Sequence, residues 1–137
     1  MPGRASGPPR LAFLSPDWLD ALGRAAGQVA LPPELDLTLQ QVVTGVSGPE
    51  GTEVRYHLVV EDGCLSVRPG QAPAPDLTLT QPYELAVALS RGDTNAQQAL
   101  SAGRLRVSGN VELLVRHARA LASVADVYAE LRHATDY

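Results

Sequence analysis

A chain of 137 residues with a net charge of -4 has the length of one domain and lacks the positive surplus that a nucleic-acid partner demands. All eleven basic side chains are arginines, so Schiff-base lysine chemistry and a phosphate-loop lysine are both excluded. The single cysteine, Cys64, rules out an internal disulfide and points to a reducing, cytoplasmic setting, and no apolar run approaches the ~18 residues of a membrane span.

Residues 1–12, which include "MPGRASGPPR", lack the apolar stretch of an export signal and read as a flexible tail. Residues 13–133 then form a single domain and 134–137 a short C-terminal tail. In "SPDWLDALGRAAGQVA", Ser15 as cap, Pro16 at the first helical position and Asp17 in the first turn predict a helix start. Trp18, Leu22, Ala25, Ala26 and Val29 recur at helical spacing on one face, and "LPP" at 31–33 stops the helix.

The next fifty residues alternate with a period of two. Leu35, Leu37 and Leu39 predict one strand. Val54, Tyr56, Leu58 and Val60 predict the inward side of a second, with Glu53, Arg55, His57 and Glu61 on the opposite side. Leu65 and Val67 belong to a third, opened by Cys64 as a small half-buried residue. "SGPEGT" (47–52) and "EDG" (61–63) are turns, so these three strands form an antiparallel meander. A proline-rich connection then leads to a fourth strand, "LTLT" (77–80).

After residue 82 the period becomes helical. A helix is predicted from Tyr83 to Arg91, ended by Gly92, and a short one within "TNAQQALSAG", ended by Gly103. "RLRVS" is a fifth strand, with Leu105 and Val107 inward and Arg104 and Arg106 outward. A long helix runs from Val111 to Arg132. This order predicts an α+β fold: one five-stranded, mainly antiparallel sheet covered on one face by helices.

Signals for chemistry are weak. His57, His117 and His133 lack metal-ligand spacing, and no Gly-x-Ser-x-Gly elbow marks a serine as nucleophile. "GVSGPEG" joins two strands and lacks the helix start that a phosphate cradle needs. The pairs Glu61/Asp62 and Asp17/Asp20 sit at a turn and a helix start, where carboxylates are ordinary. We therefore assign no catalytic residue, metal ligand or cofactor. His117 reads as a helix-surface histidine.

The last helix carries more apolar surface than one sheet face requires. Val111, Leu114, Val115, Ala118, Leu121, Ala122, Ala125 and Tyr128 form one stripe. Leu113, Ala120, Val124, Val127 and Leu131 form another, roughly 100° around. The surplus must cover another helix, a second subunit or an apolar ligand.

Residues 61–117, "EDGCLSVRPGQAPAPDLTLTQPYELAVALSRGDTNAQQALSAGRLRVSGNVELLVRH", carry a set of ordered marks. These are the Asp62-Gly63 strand turn, Pro75-Asp76 before the Thr78/Thr80 strand, a helix ending near Gly92, Ala99, and the strand from Gly103 to Gly109-Asn110. In order and spacing they resemble the sterol-carrier-protein, or non-specific lipid-transfer, domain. The resemblance implies an apolar tunnel between sheet and helices that carries fatty acids, fatty acyl-CoA, sterols or phospholipids without chemistry. On that reading the ligand-binding residues are Leu85, Leu89, Leu100, Leu105, Val107, Val111, Leu114, Val115, Ala118 and Leu121. An anionic head group would meet Arg91, Arg116 or Arg119.

Arginines stand at 104 and 106 where the family favours lysines, and Asn110 where it favours aspartate. Phe13 and Met1 are the chain's only phenylalanine and methionine, residues common in the family's cavities. The expected partner is a lipid or other apolar small molecule, with a homodimer and transient membrane contact both compatible. Two alternatives stay open. One is an interaction module whose double stripe makes a dimer. The other is a small enzyme acting on an apolar intermediate, in which His57, His117, Asp17 and Tyr56 would be the groups to replace.

Overall fold

The computed structural model of the chain describes residues 11–46 and 53–137. Residues 1–10 of the expected tail and the expected turn at 47–52 lie outside the described residues. The elements run β1 (Leu11–Ala12), α1 (Pro16–Ala26), β2 (Leu37–Thr44), β3 (Glu53–Glu61), β4 (Cys64–Pro69), β5 (Leu77–Pro82), α2 (Tyr83–Arg91), α3 (Ala96–Ser101), β6 (Arg106–Gly109), α4 (Glu112–Arg116), α5 (Ala118–Leu131) and β7 (Thr135–Asp136). A 3-10 turn at Arg132–Ala134 joins the last two. The architecture is α+β.

Local chemistry sets most of these boundaries. The Ser15 hydroxyl accepts a hydrogen bond from the Trp18 amide at 3.2 Å and caps α1. Gly92 closes α2 in the left-handed conformation at φ 83. Asp62 and Gly63 both take positive φ, 53 and 77, which gives the two-residue β3–β4 hairpin the twist its strands need.

The five-stranded sheet has the order β4-β3-β2-β5-β6. Neighbours are antiparallel except β2 and β5, which run parallel. The parallel pair follows from the connection after β4, which crosses β3 and β2 to reach the other edge. On the way the Gly70 amide donates to the Arg55 carbonyl, and the Ala72 amide donates to Gln40 Oε1 at 2.7 Å. It then docks beside β2, where Asp76 Oδ2 accepts from the Thr38 amide at 2.8 Å. This crossing covers the sheet face that the alternation assigned to solvent. His57 is therefore buried, with Nδ1 3.0 Å from the Gly70 carbonyl, and Gln40 is fully buried beneath the same loop. Cys64, expected half-buried, is exposed.

The other face carries the core. Facing residues line up across the strands: Tyr56, Gln41, Leu79 and Val107 in one row, Val67, Leu58, Leu39 and Leu77 in the next. Helix α1 packs on β4 and against α5. Its Trp18 is 0 % exposed, meets Phe13 edge-on at 4.9 Å and Tyr56 at 6.2 Å, and donates Nε1–H to Thr135 Oγ1 at 3.1 Å. Leu11–Ala12 pairs in parallel with Thr135–Asp136. These segments, assigned to the two tails in the sequence, are thus held against the core, and Thr135 is buried.

The predicted long helix from Val111 to Arg132 is broken. His117, at φ -115 and ψ 31, separates α4 from α5. The start of α4 is set by Gly109 and by the Asn110 amide, which donates to the Asp76 carbonyl at 2.9 Å. The course of α5 is set by its packing on α1. A turn at His117 joins the two directions while keeping His117 N–H to the Leu113 carbonyl and Leu121 N–H to the His117 carbonyl.

Buried apolar residues fall into two groups. The larger is centred on Trp18, Leu22, Leu58 and Leu77, and the smaller comprises Leu85, Ala99 and Leu105. Leu79 and Val107 touch both.

Candidate functional site

A cavity of about 350 Å³ lies between sheet and helices, where the two groups separate. Its floor follows from strand parity. Leu39, Gln41 and Val43 of β2, Tyr56 of β3, and Leu79 and Gln81 of β5 all point to the helix side. Ala86, Leu89 and Ser90 of α2, with Leu105, make one wall. Leu114 of α4 and Leu121, Val124, Ala125, Tyr128 and Ala129 of α5 make the roof, and Phe13 adds a ring. The exposed members of the lining, Gly92, Asn95, Ala96, Ala125, Asp126 and Arg132, mark the mouth.

Polar groups of the lining largely satisfy one another. Gln81 Nε2 donates to Gln41 Oε1 at 2.8 Å, and the Tyr56 and Tyr128 hydroxyls lie 2.8 Å apart. The Ser90 hydroxyl shares a 2.6 Å bond with Tyr137. Burial, reinforced by the neighbouring Tyr128 phenol, pushes the Tyr56 hydroxyl well above its usual range. Burial likewise pushes Tyr128 up to about 12, against the lowering effect of its bond from Tyr56. Both phenols are therefore neutral at ordinary pH. Among the described residues no buried side-chain nitrogen or oxygen lacks a partner, and no group of three His, Cys, Asp or Glu is placed to hold a metal ion.

Of the ten residues assigned from sequence, Leu89, Leu105, Leu114 and Leu121 lie on the cavity wall. Leu85 is fully buried behind it, against Ala99 and Leu105, and Val107 is half-buried between the two groups. Leu100, Val111, Val115 and Ala118 are exposed and lie off the wall. The stripe containing Val111 and Val115 assumed one continuous helix, and the break at His117 turns α4 so that these two face outward, at 52 % and 82 % exposure.

The arginines proposed for a head group are also elsewhere. Arg91 pairs with Asp93 at 3.6 Å and lies 5.9 Å over the Tyr137 ring, Arg116 pairs with Glu112 at 3.1 Å, and Arg119 is exposed. Sequence reasoning missed Gln41, Gln81 and Arg132. Gln41 continues the inward parity of Leu37 and Leu39 and was legible on that ground. Gln81 likewise continues the parity of Leu77 and Leu79, one residue past the expected strand, whereas Arg132 lies at a helix end, where no periodicity marks it.

Three comparisons bear on the fold and the family. A structure described as sterol carrier protein 2 superposes with a TM-score of 0.69 at 18 % identity, covering 86 % of this chain and 98 % of that one. A conserved hypothetical protein of Thermus thermophilus gives 0.68 at 17 % identity, covering 98 % and 97 %. Palmitated SCP2L2 from Aedes aegypti gives 0.58 at 19 % identity, covering 81 % and 90 %. At these identities the likeness is one of fold. No curated protein matches the chain significantly. The model of the SCP-2 sterol transfer family matches residues 34–122, from the start of the sheet into α5 and well over half of the chain. On that match the chain belongs to the SCP-2 sterol transfer family.

Proposed function

We propose that this protein binds a single-chain lipid in the cavity between sheet and helices and carries it without chemical change. The observation that carries the reading is the apolar cavity of about 350 Å³ itself, enclosed by α2, α4, α5 and the sheet. At about 30 Å³ per water-sized group, that volume takes about a dozen methylenes. A sterol has about twice as many carbons, and a diacyl lipid more again, so volume favours one acyl chain. Each methylene moved out of water contributes about 0.8 kcal/mol, so such a chain needs few polar contacts. A fold neighbour described as palmitated is in keeping with this.

The test begins with native mass spectrometry of the purified protein and organic extraction of any bound lipid. Displacement of a fluorescent fatty acid, and movement of labelled lipid between vesicles, follow. Co-purifying single-chain lipid, displacement and transfer are expected. A second reading, self-association, has one observation behind it, the outward-facing Val111 and Val115 on α4. A tight dimer that holds no lipid and binds no probe would favour it and sink the carrier.

A further inference from the structure

Two helix C-termini meet at the cavity mouth, which also includes Asn95 and Ala96 at the start of the short α3. Helix α2 ends at Arg91 and α5 at Leu131, and residues from both C-terminal turns, Ser90 and Arg132 with its neighbours, meet there. Helix C-termini present partly negative carbonyls, which disfavour an anion. Against them stands one guanidinium. Among the described residues, Arg132 is the sole arginine of the lining, and no carboxylate there pairs with it.

Its geometry is specific. Arg132 Nε donates to the Ser90 carbonyl at 2.9 Å, and the Ser90 side chain is held in turn by Tyr137. A Cβ on Gly92 would lie 3.0, 3.0 and 3.1 Å from Cζ, Nη2 and Nη1 of Arg132. Three guanidinium atoms equidistant from one point mean that the flat face of the group rests over Gly92. The φ of 83 favours glycine there, and the missing Cβ leaves room for the guanidinium to lie close to the backbone. With its face covered and Nε occupied, both terminal Nη groups keep their in-plane donors for an incoming ligand. That edge matches a carboxylate.

We propose that Arg132 is the head-group anchor of the cavity, and that the site therefore selects a long-chain carboxylate over a neutral lipid of the same length. The inference rests on the carrier reading and adds to it the charge of the ligand. Asp126, the one acidic residue of the lining, works in the opposite sense at the same mouth.

The experiment compares dodecanoic acid with 1-dodecanol as displacers of the neutral dye Nile red, using the full chain at a pH where the acid is ionised. Wild type is expected to favour the acid by about tenfold, the range of one charge-assisted contact at a solvent-exposed rim. Arg132→Gln should bring the ratio near unity by lowering acid affinity about tenfold relative to alcohol, and Asp126→Asn should raise acid affinity relative to alcohol. The melting midpoint of each variant reports its folding independently of ligand. An unchanged acid preference in Arg132→Gln overturns the anchor, as does equal binding of the two ligands by wild type or an equal weakening of both ligands in a variant that melts like wild type. If neither ligand displaces the dye from wild type, the carrier reading falls and the anchor with it.

Discussion

Ala129 lies half-buried on the face of α5 that roofs the cavity, and its replacement by leucine measures where the ligand sits. Leucine is nearly as good a helix former as alanine, so α5 itself is spared. The substitution adds three carbon groups of about 30 Å³ each, roughly a quarter of a cavity of about 350 Å³. An acyl chain filling that space would forfeit about three methylenes of burial, or about 2.4 kcal/mol, equivalent to about sixtyfold in affinity. The assay is dye displacement by a series of saturated fatty acids of increasing length. In wild type, affinity should climb by about fourfold per methylene and level off near twelve carbons. In Ala129→Leu the plateau should come about three carbons earlier, with the shortest acids unaffected. Thermal unfolding should show no loss of stability, because the added carbons fill a void. A folded variant with the wild-type plateau and wild-type dodecanoate affinity would refute the placement of the ligand.

Leu114→Glu puts a carboxylate on the apolar wall and should weaken acyl binding by at least about tenfold or lower the melting midpoint, so wild-type values on both counts would contradict its position. Gly109→Ala demands φ 100 of an alanine and drives its Cβ into the Asp76 carbonyl where β5 pairs with β6. It should cost about 3 kcal/mol in urea titration, and a midpoint equal to wild type would rule out that close approach. The tyrosine pair predicts an alkaline transition. A phenol whose folded pKa is raised stabilises the fold below its ordinary value of about 10, and that contribution is lost as pH rises toward about 12, where Tyr128 ionises. Tyr128→Phe should shrink the fall in stability across that window, and a fold in which both tyrosines titrate near 10 spectroscopically would speak against the buried pair.

Much of the fold was legible because its causes are local. The Ser15 cap, the left-handed Gly92, the Asp62-Gly63 turn and the alternation of β2 to β5 each depend on a few neighbouring residues, and each stands where the pattern placed it. The marks from Asp62 to Asn110 carried the family for the same reason, since they are turns and strand edges with backbone conformations of their own. The inward sides of the strands were right, but Leu39, Leu77 and Leu79 share that side with Gln41 and Gln81, and parity cannot say which inward residue meets packing and which meets empty space.

Other features depend on where distant segments meet. The alternation placed His57 in water, and the crossing of residues 70–76 buried it. One unbroken helix was the natural reading of residues 111–132, and the anchoring of α4 at β6 together with the docking of α5 on α1 required the break at His117. That break turned Val111 and Val115 outward while Leu114 and Leu121 kept the cavity, and the approach of two helix ends brought Arg132 over Gly92. The sequence by itself determined most of the elements, the inward sides of the sheet strands and the family. Only the tertiary structure decided that a void exists and which charge guards it, because a cavity is set by the spacing between packed layers, and that spacing belongs to no single segment of the chain.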